Sequence, residues 1–448
     1  MFLTQLSFSQ ISTEQQIIDD EAITIKTVRT GDLDGDGDLD LVASIFDAIV
    51  WYENLDGLGN FGPKQIIDTG VVQAPSVELA YINSDTFLDV LVSNFDNDTV
   101  MWYQNLDGLG NFGSDQVVTN TIDGPIVAKA SDLDGDGDMD VITNSQNDGF
   151  LSWYENTDGE GTYGPRNVIS NTVTNSRSLF AGDLDGDDDI DVITSDSGGI
   201  TIAWFENLDG LGTFSTEHIV AGAAPAVEDV FAIDLDGDND LDIISATNSE
   251  DKIAWHENLD GMGNYGPQQI ITTDAGVPTS VYAIDLDNDN DIDVLFAGAD
   301  FDDGRIAWHE NLDGLGTFGP QQIIYSETDG ARSVYAADLD GDGDQDVLTP
   351  LLVDYILAWH ENLTILGVND FSKKSITLLP NPVSTILTIE NTSIYQIESI
   401  KIYDTLGRLV QQENHQFNSI DVSRLSSGLL FVQLETEEGT VAIKVVKL

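Results

Sequence analysis

The chain has 448 residues, 80 of them acidic and 16 basic, and a formal net charge of -64. Such a field repels nucleic acid and anionic membrane surfaces and excludes them as partners. Hydrophobic residues still make up 41%, with seven Trp and no Cys, so the chain can bury a sizeable core, while no apolar run is long enough to span a bilayer.

Residues 1–10, MFLTQLSFSQ, read as the remnant of a signal peptide: a short apolar run, then small residues, with a cut after Ser9 or Gln10. No basic residue precedes the run, so an ordinary N-terminal strand is the alternative. From residue 11 the chain repeats itself. The stretch DLDGDGDLD begins at Asp32 and recurs from Asp132, Asp183, Asp234, Asp285 and Asp338, with a degenerate copy, YINSDTFLD, from Tyr81. The steps are 49, 51, 51, 51, 51 and 53 residues. A second marker, Trp-aromatic-Glu-Asn or Trp-His-Glu-Asn, places one tryptophan in each unit: Trp51, Trp102, Trp153, Trp204, Trp255, Trp308 and Trp359.

The sixth unit shows what repeats. SVYAIDL reads as a strand, DNDNDID as the acidic loop and VLFAG as a second strand; IAWHENL is a third, DGLGTFGP a hairpin and QQIIY a fourth. Asp-Gly between apolar runs is a strong hairpin signal. Four short strands per unit and seven units predict a β-propeller. An open solenoid is the rival, and the array ends decide between them. The seventh unit stops after its third strand, and the missing strand stands at the other end of the chain as STEQQIID, residues 12–19. A ring sealed by the N-terminal strand explains that offset. The expected fold is therefore all-β: a seven-bladed propeller over residues 11–363, followed by a small β-sandwich domain.

Two carboxylates about 4 Å apart repel by about 4 kcal/mol at an effective dielectric near 20, so a loop that gathers five of them needs a cation. Numbered from the first aspartate, positions 1, 3, 5 and 9 offer side-chain oxygens and position 7 a backbone carbonyl. The candidate metal residues are Asp32, Asp34, Asp36, Asp38 and Asp40 in the first loop, and Asp132, Asp134, Asp136, Asp138 and Asp140 in the third. The fourth holds Asp183, Asp185, Asp187, Asp189 and Asp191, and the fifth Asp234, Asp236, Asp238, Asp240 and Asp242. Asp285, Asp287, Asp289, Asp291 and Asp293 follow in the sixth, and Asp338, Asp340, Asp342, Asp344 and Asp346 in the seventh. Oxygen ligands without His or Cys suit Ca²⁺, at about six sites, and exclude a zinc-type centre; Mg²⁺ is choosier about geometry. Position 6 is Gly37, Gly137, Asp188, Asn239, Asn290 or Gly343, all residue types that enter the left-handed region cheaply. The loop from Tyr81 to Asp89 keeps Asn83, Asp85 and Asp89 but has Thr86 at the turn, and is expected to be weak or empty.

These residues resemble the FG-GAP/VCBS repeat family, whose propeller blades include those of integrin α-subunits. The loop pattern and Phe61-Gly62-Pro63 or Phe318-Gly319-Pro320 carry the resemblance. It implies that the loop joins the first two strands of a blade and binds Ca²⁺ opposite the usual ligand-binding face. After residue 363 the acidic repeat ends. Residues 364–375 read as a linker, and 376–448 resemble a type IX secretion system sorting domain. Its marks are Pro380-Asn381-Pro382, Tyr403-Asp404, Gly407-Arg408, Asp421-Val422-Ser423, Leu425, Gly428, Lys444 and Lys447. That resemblance implies handling by the type IX machinery and a secreted or outer-membrane surface location on a Bacteroidetes-type bacterium.

No catalytic residue stands out. His256, His309 and His360 occupy the place of Tyr52, Tyr103, Tyr154 and Phe205 in other units and read as strand packing, as do the tryptophans. The recurrent Glu53 or Glu257, replaced by Gln104 in the second unit, reads as structural hydrogen bonding. A binding or adhesion module for carbohydrate or protein is the expected function. A polysaccharide lyase or glycoside hydrolase on the same scaffold, and a purely structural surface protein, are the alternatives. Arg177, Lys252, Arg305 and Arg332 fall on loops away from the acidic ones and are candidates to meet anionic sugars.

Overall fold

The computed structural model describes residues 11–363 apart from 73, 197–200, 223, 301–303, 327–329 and 352–354. In the C-terminal part it describes 376–447 apart from 380–382, 392–396, 405–407, 414–416, 418, 426–427 and 437–438. The signal-peptide remnant, the linker 364–375, the Pro380-Asn381-Pro382 mark and Gly407 lie outside the described residues. The chain divides into two compact units, Met1–Asn362 and Leu363–Leu448.

The first unit contains seven four-stranded sheets among the described residues. Six are antiparallel meanders in chain order. The first runs Thr27–Gly31, Asp40–Ile45, Ala48–Tyr52 and Gln65–Thr69. Its second and third strands are buried nearly throughout, because neighbouring sheets cover both faces. These strands therefore read as continuous apolar and small residues rather than as a period-2 alternation. The fourth strand is the exposed outer edge.

The seventh sheet closes the ring. Tyr335–Ala337, Asp346–Leu351 and Ile356–His360 are completed by Gln16–Asp19, which pairs antiparallel with the strand bearing Trp359 (Gln16 opposite Trp359, Ile17 opposite Ala358). The sheets at the two ends of the array share a core: Val28, Leu41 and Tyr52 pack with Leu339, Leu348 and Trp359. This all-β closed architecture is the one the repeat predicts. The second unit holds a three-stranded sheet (Ile376–Leu379, Ile386–Asn391, Ser419–Asp421) and a four-stranded one built on the long hairpin Gly428–Thr436 and Gly439–Lys447. Leu387, Ile389 and Ile420 from the first sheet meet Ile400, Ile402, Val432 and Leu434 from the second in one core, a small β-sandwich.

Two recurring contacts weld each blade to the one before it. The asparagine that closes each Trp-x-Glu-Asn motif, or Trp-x-Gln-Asn in the second blade, reaches across with its side-chain amide. Asn105 Nδ2 donates to the Leu33 carbonyl at 2.8 Å, Asn207 to Leu133 at 2.8 Å and Asn54 to Leu339 at 2.9 Å, the last spanning the ring closure. The second glycine of each Asp-Gly-x-Gly hairpin lies against the previous blade's tryptophan: Gly110 on Trp51, Gly161 on Trp102, Gly59 on Trp359. The last blade has no such hairpin. There Ile11, bridged to Asn362 as Phe61 is to Asn54, packs against the cluster that holds Trp308.

Candidate metal centres

Each acidic loop connects the first two strands of a blade, and its fold follows from its own side chains. Asp32, at position 1, accepts the Gly35 N–H through Oδ1 (2.6 Å) and the Gly37 N–H through Oδ2 (3.1 Å). Asp132 and Asp234 repeat the pattern. Position 5 accepts the N–H of position 7, as Asp36 does from Asp38 at 3.0 Å. Position 6 is left-handed in all six intact loops, with φ from 71° at Asp188 to 99° at Gly343. Position 4 is left-handed too, at Gly35, Gly135, Gly186, Gly237, Asn288 and Gly341. Two such turns fold nine residues back on themselves and bring alternate carboxylates together.

Carboxylate oxygens of Asp32, Asp34 and Asp36 lie within 4.8 Å of one another, as do those of Asp132, Asp134 and Asp136, and of Asp285, Asp287 and Asp289. In the fourth and fifth blades the converging sets are Asp183, Asp185 and Asp191, and Asp234, Asp236 and Asp242. The position-3 carboxylate carries the clearest demand for a partner. Oδ1 of Asp134, Asp185, Asp236 and Asp340, and both oxygens of Asp287, are buried and receive no hydrogen bond. Asp287 is 3% exposed. Buried carboxylate oxygens without a donor are costly, and a cation among them removes the cost.

Positions 7 and 9 make further contacts of their own, and position 9 keeps its place in the converging sets through Asp191 and Asp242. At position 9, Asp40 accepts the Leu33 N–H through Oδ2 (2.9 Å) and the Asn54 N–H through Oδ1 (2.8 Å), so this fully buried side chain clamps the loop to the third strand. Asp140, Asp191, Asp242, Asp293 and Asp346 do the same. At position 7, Asp38, Asp138, Asp189, Asp240 and Asp291 lie against the hairpin glycine of their own blade, and Asp344 accepts from Asn288 Nδ2 at 2.6 Å.

Electrostatics give the same picture. Burial, then Asp187 and Glu206, push the Asp185 carboxyl up to about 6. Burial, then Asp289 and Glu310, take Asp287 to about 7. Burial with Asp342 and Glu361 raises Asp340 to about 6. In each case the recurring glutamate of the Trp-x-Glu-Asn motif contributes to the crowding, as Glu53 does at Asp34. Glu257 and Glu310 also accept from Gln269 and Gln322, at 3.2 and 3.4 Å, in keeping with the hydrogen-bonding role read from sequence. Their position beside the loop is a second role that sequence reasoning missed. The available signal was Gln104, which replaces the glutamate in the one blade whose acidic loop is degenerate.

That second loop folds differently. Neither Ser84 nor Thr86 is left-handed. Asp85 accepts from Phe87 N–H (2.9 Å) and Gln104 Nε2 (3.2 Å), and the Phe87 ring covers the hairpin Gly108 where other blades place a carboxylate.

The histidines are packing residues. His256, His309 and His360 are buried, and each Nδ1 lies 2.8–3.1 Å from a backbone carbonyl, which fixes Nδ1 as the protonated nitrogen. Of the four loop cations, Lys252 pairs with Glu250 and with Gln268 Oε1 (2.9 Å), and Arg305 with Asp274 (3.4 Å); both are almost fully buried. Arg177 and Arg332 instead line the central channel.

A ring of four-stranded blades, each opening with an aspartate-rich loop, defines a repeat propeller with candidate divalent-cation sites. Residues 32–349 match the FG-GAP-like repeat model in six overlapping segments, and the chain belongs to that family. Residues 377–448 match the secretion system C-terminal sorting domain of the Por type. This domain marks a secreted or cell-surface protein of a Bacteroidetes-type bacterium and implies interaction with the type IX secretion machinery. No helix among the described residues is long and apolar enough to cross a membrane.

No curated protein matches the chain. Among solved structures, BBS1N in complex with ARL6DN is similar at 12% identity and a TM-score of 0.54, over 81% of this chain and 98% of that one. PorZ, a bacterial surface component of the type-IX secretion system of Porphyromonas gingivalis, matches at 13% identity and a TM-score of 0.47, over 93% of this chain and 60% of that one. The rhamnogalacturonan lyase YesW matches at 14% and 0.42, over 75% and 71%. At such identities the likeness concerns the fold alone.

Proposed function

We propose that the protein is a calcium-stabilised propeller that works as a binding or adhesion module on the bacterial surface. The unpartnered, buried position-3 oxygens carry the calcium part of this reading. Positions 1, 3 and 5, with position 9 and the position-7 carbonyl, would hold the ion in the six intact loops. The ion would supply the positive charge that offsets the gathered carboxylates and would accept their oxygens as ligands. The donor set fits in kind: it is made of hard oxygens only, the ligand type Ca²⁺ takes. Six divalent ions add twelve positive charges and bring the formal charge from -64 to -52. The loop from Tyr81 to Asp89 is left out of the set.

The binding part rests on a rigid ring whose symmetry is broken on the face away from the acidic loops. A glycan array probed with the full chain in Ca²⁺, then product analysis of any hit, tests it. Binding without turnover is expected. Turnover would make the protein an enzyme, and a silent array would contradict a glycan-binding module.

A further inference from the structure

Nine of the sixteen basic residues precede residue 363, and five of these nine line one cavity: Lys26, Arg29, Lys129, Arg177 and Arg332. The cavity is the mouth of the central channel, about 840 Å³ in volume, within the range of small-ligand sites. It is walled by the starts of the first strands, at the end remote from the acidic loops that follow the same strands. Only Glu78, Glu228 and Asp229 among its lining residues are acidic. In a chain of net charge -64, a cavity with more cations than anions is the opposite of the background.

One inward position, three residues before each loop, abandons the repeat. On four successive blades it is aromatic: Phe180, Phe231, Tyr282 and Tyr335 stand 5.5, 5.2 and 4.9 Å apart, centroid to centroid, and form one continuous arc. On the other three it is charged. Glu78 accepts from Lys129 at 2.8 Å and Arg29 at 3.4 Å, and Arg29 also lies 5.5 Å over the Tyr335 ring. One acid thus answers two bases. Two residues nearer the mouth, Thr27, Ser76 and Ser333 add hydroxyls, while those of Ser178 and Ser280 are engaged within the wall. At the mouth itself Arg177 reaches Glu228 only at 3.8 Å, its buried Nε has no acceptor, and Arg332 makes no ion pair among the described residues. Asp229 is turned to the wall, where its carboxylate accepts the Ser178 hydroxyl and the Val281 N–H.

Repeat symmetry is sufficient for packing, so a position that loses it in both directions needs another reason. Aromatic faces suit the apolar C–H faces of pyranose rings, hydroxyls suit hydroxyls, and guanidinium groups at the rim suit carboxylates. We infer that the channel mouth binds a carboxylated sugar chain, with Arg177 and Arg332 meeting its carboxylates and the aromatic arc its ring faces. This rests on the reading of the protein as a binding module and names where that module binds. An acidic peptide would use the cations but leave the aromatic and hydroxyl walls without a role.

The test is calorimetric titration of the Ca²⁺-loaded full chain with a galacturonate trisaccharide. The uncharged galactose trisaccharide, a sulfated trisaccharide and a tri-aspartate peptide are compared in parallel. The expected result is binding of the uronate at least about tenfold tighter than the other three, falling at least about tenfold in the Arg177→Gln/Arg332→Gln variant. Lys64→Gln, outside the channel, should leave it unchanged. Melting curves of each variant separate lost binding from lost folding, and Arg332→Gln alone, at an exposed side chain, keeps the test usable if the double variant is unstable. Equal affinity in wild type and Arg332→Gln, or preference for the peptide or the sulfated sugar, would overturn the inference. A glycan-array ligand that Arg332→Gln still binds at full strength would sink the channel assignment while sparing the binding-module reading.

Discussion

At the residue scale, the blade interfaces depend on two side-chain types whose loss has a definite size. Removing the Asn207 amide leaves the buried Leu133 carbonyl without its donor. An orphaned buried acceptor costs about 1–3 kcal/mol. Asn207→Ala should therefore lower the melting temperature by several degrees, and an unchanged melt would show the latch to be incidental. Gly161→Ala should be worse. The position has φ of 81°, and an added Cβ would sit 2.2 Å from the Trp102 ring. Left-handed strain and overpacking together cost about 2–4 kcal/mol, readable as a drop in the urea midpoint.

The buried histidines set a pH dependence. Burial holds His309 below its ordinary value, and protonation would add an N–H at Nε2, which is buried without an acceptor. With the folded value depressed, the unfolded chain takes up protons first as pH falls below about 6.5. The stability contributed by the neutral ring is complete above that pH and is lost below it. His309→Phe, the residue type that stands as Phe205 in the fourth blade, should lose less stability than wild type between pH 7.5 and pH 5. Parallel losses in melts at the two pH values would show that this ring does not titrate with folding.

At the scale of the element, the acidic loop was largely legible and its supports were not. Alternating aspartates and the restricted position 6 announced an oxygen cage, because few residue types enter the left-handed region. Position 9 could not be separated from the other aspartates by sequence. Asp40 looks like one more acid until the fold shows both its oxygens on backbone N–H groups. Glu310 was hidden for a related reason: a residue that recurs once per blade gives the same signal whether it holds a strand or faces an ion. Its place beside Asp287 makes a prediction. Glu310→Gln should weaken calcium binding at the sixth loop by about tenfold, a difference of about 1.4 kcal/mol, while leaving the other loops intact. Titrations that overlay on wild type would return the glutamate to a purely structural role.

At the scale of the whole molecule, ring closure was legible because it leaves a countable mark, a strand missing at one end and present at the other. The channel was not, since the inward direction of Arg29 or Tyr335 depends on how seven blades are arranged about one axis. Still, the seven residues three places before the loops were visibly unlike one another within an otherwise regular repeat, and that irregularity could have been found. Closure itself predicts that a chain lacking residues 11–19 exposes the strand bearing Trp359 and the core around Trp308. Such a chain should melt well below the full-length protein and bind a hydrophobic dye; native-like melting would contradict the seal.

The central claim is that the aspartate loops are cages for Ca²⁺ that the fold needs. Binding to the folded state alone stabilises each site by about 2.7 kcal/mol at a free concentration one hundred times the dissociation constant. The most direct measurement is the calcium content of the dialysed full chain, with its melting temperature before and after chelation. About six ions per chain and a marked fall in melting temperature with EDTA are predicted. A chain that holds no calcium, or melts at the same temperature with and without the chelator, would contradict the account.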